Sequence, residues 1–425
     1  MKIKSSTIIF QFDIAHFFTK LFNIYLIILI IDPMRESVDF GELNTIITVI
    51  REMTIVLLVL IVILFKRKLI ISYFVFFYFV ILLIVGCISV FSTLGLGVNI
   101  KGFYGFLRSL AVCFVISNLP ELYHESPKKL IKRYICVVIF CFLLSMVLYF
   151  IFPKLLINAF FKNRLSVGNP SMQSICYISA FALTFYYSPF NRILNILFSV
   201  ILLLATVSTV TSTAFVALAV IFIISMFNPK IFKNWLPIVF MFTLSAYLVI
   251  IFSNYDFDYL LGTISYKMDE LVQLLRKFLG GNYNVDKQSQ SFSNRTIQIE
   301  NFWRNVSPMD LFFGDGNWSM SDPKHLLIEN TYFGVIRDFG MIGGIFYFFI
   351  IISGFIYGFY KCFKKRDLAL LIFFAILAVY SVTLHIFVST SMTVQFFFLF
   401  YLFNTQSKGF YGRKYIVCDQ RFVYA

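Results

Sequence analysis

Charged side chains are scarce in this chain of 425 residues: they make up 13% of it, against 60% hydrophobic and 20% aromatic. With a mean hydropathy of +0.85, that scarcity excludes an ordinary soluble domain and a disordered chain alike. Other signatures are missing too. There is no GxxxxGK[ST] loop to cradle a nucleotide, so ATP-driven transport is unsupported, and no GxSxG elbow to present a nucleophilic serine. The four histidines (His16, His124, His325, His385) are scattered without ligand spacing, and the seven cysteines form no CxxC pair. Neither a metal site nor a disulfide framework is expected, and no cofactor is implied. The only DxD-like element is "DFD" at Asp256–Asp258, a weak basis for a metal-dependent sugar-nucleotide site.

What the chain has instead is a succession of apolar runs, each about 17 to 25 residues long and sufficient to cross a hydrocarbon layer as a helix. They predict an all-α polytopic membrane protein with about twelve spans, because solidly apolar runs do not fit the alternation of a membrane barrel. The expected spans are roughly 14–31, 44–65, 69–91, 102–119, 135–152, 172–189, 193–208, 211–227, 236–252, 341–360, 368–386 and 391–404. The domain plan is then residues 1–252 with nine spans, a large loop over 253–340, three spans over 341–404, and a tail over 405–425. "MKIKSSTIIF" lacks a small-residue cleavage site after its apolar region and reads as a retained signal anchor.

The net charge of +15 is an orientation signal rather than a mark of nucleic-acid binding. Basic residues concentrate in short connections: "KRK" (Lys66–Lys68), "PKKLIKR" (Pro127–Arg133), "NPKIFK" (Asn228–Lys233) and "KCFKKR" (Lys361–Arg366), with Arg413 and Lys414 in the tail. The acidic "DPMRESVDFGE" falls on the other side, so both termini are expected in the cytoplasm. The long loop then lies outside. Within it, "SYKMDELVQLLRKFLGG" spaces Met268, Leu271, Leu275 and Phe278 as one helical face, and "SNRTIQIENFWRNVSP" starts from a Ser293 or Asn294 cap and stops before Pro308, presenting Ile297 and Phe302 to an apolar partner.

Ionisable residues in apolar surroundings are the functional candidates. Lys20, Arg51 and Arg108 fall within spans; Lys20 can snorkel, Arg51 can pair with Glu52, and Arg108 sits in mid-span. Outside, Arg164 in "FFKNRLSVGNPSMQS" and Arg295, Arg304 and Arg337 in the long loop could gather as forked donors around a diphosphate. Among Asp310, Asp315, Asp322, Glu329 and Asp338, Glu329 stands apart. "LLIENTYFGVI" surrounds it with apolar residues where the loop re-enters the membrane, which suits either a general base of raised pKa or a plain helix-start carboxylate.

The order of these elements resembles the O-antigen polymerases of the Wzy type, in the superfamily that also holds the O-antigen ligases. The resemblance rests on Arg295 and Trp303 in a loop helix, the Gly314-x-Gly316 turn, Glu329-Asn330 with Tyr332, "GMIGG" opening the next span, and upstream Arg164, Asn169 and Pro170. Topology covers the whole chain and the motifs about a quarter of it. Glu329-Asn330 stands where the ligases typically carry His-Asn, and "STVTSTAF" lacks an arginine often found there, which leaves Arg51 or Arg108 as candidates to substitute.

The resemblance implies metal-independent glycosyl transfer between undecaprenyl-diphosphate-linked glycans at the periplasmic face of the inner membrane, for lipopolysaccharide synthesis. Glu329 and Arg295 would be catalytic. Arg164, Arg304, Arg337, Arg108, Arg51, Asn330 and Tyr332 would hold diphosphate or glycan. A chain-length regulator and a flippase are the implied partners, besides membrane lipid. An O-antigen ligase joining polymer to lipid A core, or a lipid-linked oligosaccharide flippase or other transporter, are the alternatives.

Overall fold

The computed structural model describes residues 14–35, 42–65, 68–72, 100–152, 170–252, 262, 290–314, 330–384, 390–405 and 415–419. The described chain is helical apart from one ribbon. In order it forms α1 (Ile14–Arg35), α2 (Leu43–Phe65), β1 (Lys68–Ser72), α3 (Ile100–Leu122), α4 (Pro127–Ile151), α5 (Pro170–Tyr187), α6 (Arg192–Ser208) and α7 (Ser212–Met226). It continues with α8 (Pro229–Phe232), α9 (Trp235–Phe252), α10 (Gln290–Asn305), α11 (Pro308–Phe313), α12 (Thr331–Lys365), α13 (Ala369–Thr383), α14 (Thr390–Thr405) and β2 (Tyr415–Asp419).

Four helices have stretches long and apolar enough to cross a membrane: Ile14–Asp32, Asn44–Phe65, Pro127–Tyr149 and Thr331–Lys365. Shorter apolar helices accompany them, and each expected span except the third coincides with a helix. At the third, residues 68–72 are extended and pair antiparallel with 415–419, Lys68 opposite Asp419 and Ser72 opposite Tyr415. Ile70 and Ile71, opposite Val417 and Ile416, are good strand formers, which accounts locally for the departure from helix. Residues 73–99 lie outside the described residues, as does the expected amphipathic helix over 265–281.

The bundle is organised around helices that are buried on every side. In α5, every residue from Met172 to Phe185 is buried, and Leu368–Leu377 of α13 and most of Met392–Asn404 of α14 are buried likewise. A helix apolar all round belongs in such a centre. α13 packs on α5, α7, α12 and α14, while α1, α2, α3 and α4 close the other flank. The peripheral helices turn an apolar stripe outward. On α2 this is Ile46, Val49, Ile50, Met53, Val56, Leu57 and Leu60; on α12, Ile345, Phe349, Ile352, Ile356 and Phe363.

Several buried hydroxyls are satisfied within their own helices, as suits an apolar surround. Thr54, Ser117, Ser145, Thr184 and Thr206 each donate to the carbonyl four residues back. Between helices, Tyr380 donates to Ser174 Oγ at 2.8 Å and the Trp235 indole to Ser225 Oγ at 2.6 Å. α12 and α13 approach closely along Gly354 and Gly358: a Cβ at Gly354 would meet the Phe374 ring at 2.3 Å, and one at Gly358 the Leu371 backbone at 3.0 Å. This is the small-xxx-small packing of membrane helices.

The described lysine-rich connections, those at the start of α4, after α7 and at the end of α12, gather at one end of the bundle. There Asn228 donates to the Arg366 carbonyl, the Leu368 amide to the Tyr186 hydroxyl, and Tyr187 to the Phe403 carbonyl. On the same end Arg133 holds Glu125 and donates to the Tyr123 hydroxyl, which itself donates to Asn23. Burial pushes the Tyr123 phenol above its ordinary pKa, with the Arg133 guanidinium opposing the rise.

Candidate functional site

The candidate site lies at the opposite end, where α12 begins. Asn330 is extended and caps the helix, its side chain accepting from the Tyr332 and Phe333 amides at 2.8 and 3.4 Å. Its amide group also donates to the Val382 carbonyl at 3.1 Å. The Thr331 hydroxyl donates to the Leu384 carbonyl, and the Tyr332 hydroxyl to the Ala378 carbonyl at 3.1 Å. Val382 and Leu384 lie at the C-terminal end of α13, where a helix leaves carbonyls without partners of its own. The residues at the start of α12 therefore cap the end of α13.

α12 was expected to begin at residue 341, but it begins ten residues earlier and is broken once. Gly340 has φ +66° and ψ −174°, a conformation essentially restricted to glycine. The break turns the short first segment, 331–339, against the long second one. A Cβ on Gly343 or Gly344 would accordingly meet Phe339 at 2.3 Å or Ile336 at 2.6 Å. Gly340 thus makes the kink, and Gly343 and Gly344 accommodate the segment before it.

Arg337 and Asp338 sit in that short segment and are both buried. Arg337 holds its neighbour through Nε at 2.8 Å and Nη2 at 2.7 Å, both to Asp338 Oδ1. Arg337, expected to contact a diphosphate, is paired with the Asp338 carboxylate in this buried segment. The elements from the long loop cover this pair. Gly314, with φ +81°, presses so closely on the segment that a Cβ there would lie 2.3 Å from the Asp338 carbonyl oxygen. Trp303 of α10 meets the Phe333 ring edge-on at 6.4 Å.

α10 begins at Gln290, before the expected Ser293 or Asn294 cap, and ends at Asn305. Ile297 is exposed rather than packed, while Phe302 is half-buried against Trp303 at 5.4 Å. Arg304 projects from the last turn with its side chain 76% exposed, 3.9 Å from Glu300. Arg295 lies in α10, but its side chain is outside the described ones, and Arg164 and Glu329 are outside the described residues. Asn330, Tyr332 and Arg337 thus share the cap and short first segment of α12, which Trp303 and Gly314 approach.

Arg51 and Arg108 belong to a second cluster. Arg51 Nη1 reaches both oxygens of Asp32 at 2.9 Å, and its Nη2 and Nε reach Glu52 Oε1 at 2.9 and 3.1 Å. Arg108 Nη1 reaches the same Glu52 oxygen at 2.7 Å. Among the described residues, two guanidiniums and two carboxylates tie α1, α2 and α3 together. Local pairing of Arg51 with Glu52 was expected. The role of Asp32 was not, since it read as part of an acidic loop; its position at the end of an apolar run was the available signal.

Among the described residues no group of three or more His, Cys, Asp or Glu is placed to hold a metal ion. No protein-family model matches the chain, and no curated protein matches it.

Proposed function

We propose that this membrane protein joins undecaprenyl-diphosphate-linked O-antigen repeat units by glycosyl transfer, at the periplasmic face of the bacterial inner membrane. The observation that carries the reading is the build of the α12 start. A polar, capped and buried segment follows Glu329 directly, under the helices of the long loop that contain Arg295, Trp303 and Arg304. The sequence resemblance runs through these same positions.

In the proposed reaction an acceptor hydroxyl of the incoming unit attacks the anomeric carbon of the growing glycan. The bond from that carbon to the carrier's diphosphate oxygen breaks as the new glycosidic bond forms. Glu329 takes the hydroxyl proton, and the departing diphosphate carries the negative charge away. Arg164, Arg295 and Arg304 are the guanidiniums assigned to that charge. Arg337, already neutralised by Asp338, holds the segment that positions Glu329 and Asn330. The finer topology belongs to the same proposal: twelve spans, both termini cytoplasmic, and the α12 start facing the periplasm.

Disrupting the gene in its host tests the reading. The expected lipopolysaccharide carries a single repeat unit on its core. A normal ladder of lengths contradicts the proposal, and bare core with polymer accumulating on the carrier identifies a ligase instead. A transporter is the second reading, favoured by the charge cluster among α1, α2 and α3, and it requires carrier-linked units to accumulate on the cytoplasmic face.

A further inference from the structure

The charge cluster of α1, α2 and α3 has an asymmetry that pairing alone does not explain. Both arginines converge on one oxygen of one carboxylate, Glu52 Oε1, with three guanidinium nitrogens within 3.1 Å. Such convergence of forked donors is the geometry that receives an anionic oxygen of a phosphate group. Glu52 is also the most exposed member, at 23% of its side chain, against 9% for Asp32, 11% for Arg51 and 17% for Arg108.

Depth and surroundings indicate what could replace it. The apolar stretch of α1 ends at Asp32, which places that carboxylate and the Arg51 guanidinium bound to it at the edge of the apolar zone, where lipid phosphates lie. On the surface of α2, Glu52 is flanked by Val49, Met53 and Val56, all more than half exposed and part of the outward apolar stripe. An acyl chain along that stripe would bring its phosphate to the arginines.

We propose that Arg51 and Arg108 form a binding site for the phosphate headgroup of an anionic membrane lipid, with Glu52 occupying the phosphate's place until the lipid displaces it. Asp32 stays on Arg51 Nη1 throughout and keeps that guanidinium oriented. The site is separate from the α12 start and holds whether or not the chain polymerises glycans.

The test is lipid binding by the full-length protein in detergent, followed by native mass spectrometry with phosphatidylglycerol, phosphatidylcholine and inorganic phosphate as probes. Phosphatidylglycerol should be preferred over phosphatidylcholine. Glu52→Gln, which removes the competing carboxylate, should tighten phosphatidylglycerol binding about tenfold. Arg108→Gln should abolish the preference. The double variant Glu52→Gln with Arg108→Gln keeps the Arg51–Asp32 pair and the charge balance, and it too should show no preference.

A purely structural cluster predicts the opposite sign for Glu52→Gln: binding unchanged or weaker, which overturns the proposal. Retained preference in the double variant overturns it as well. Inorganic phosphate competing as effectively as the lipid rules out a lipid site.

Discussion

At the scale of single residues, the α12 start depends on Asn330 and on the pairing of Arg337 with Asp338. Asn330 accepts two amides at the head of α12 and donates to α13. Asn330→Ala should lower stability by about 1 to 2 kcal/mol, the usual loss for a helix cap, read as a drop in melting temperature in detergent. Asn330→Asp keeps the acceptor and should recover most of it, losing only the bond to Val382. Asp338→Asn leaves the buried Arg337 guanidinium without its neighbouring carboxylate. It should cost about 3 to 5 kcal/mol, and adding Arg337→Gln should restore part of that loss; an additive double variant would show that the pair is not coupled.

At the scale of elements, the broken α12 and the turn that presses on it act together. Gly340→Ala forces a side chain into a conformation that only glycine adopts readily, at a cost of about 1 to 3 kcal/mol. Gly314→Ala should lift α11 from α12, because its Cβ has no room beside the Asp338 carbonyl oxygen. In cells, both substitutions should shorten the glycan ladder at normal protein level, whereas full-length ladders would detach the loop from the proposed site.

The apolar helices were legible in the sequence, since a membrane helix satisfies its own backbone and announces itself by composition alone. The start of α12 was not. Its polar residues look unfit for a helix until the carbonyls of α13, some fifty positions along the chain, are seen to receive them. Likewise Arg108 and Glu52 are 56 residues apart, and no local pattern links them. Glu329 was singled out because a carboxylate stood in apolar company, and Asn330 by the resemblance; the kink at Gly340 left no mark beyond one more glycine among several.

At the scale of the whole molecule, the described lysine-rich connections and the α12 start occupy opposite ends of one bundle, and the proposed topology assigns them opposite sides of the membrane. A cysteine at Arg304, on the exposed last turn of α10, should react with an impermeant maleimide added to whole cells with a permeabilised outer membrane. A cysteine at Lys233 should react only after the inner membrane is opened. Reversed labelling would invert the topology and remove the site from the periplasm. The most direct measurement is polymerisation by the purified protein in proteoliposomes supplied with undecaprenyl-diphosphate-linked repeat units and a metal chelator. The account predicts a ladder of lengthened glycans that disappears with Glu329→Ala; units left unjoined by folded wild-type protein, or a ladder undiminished in that variant, would contradict it.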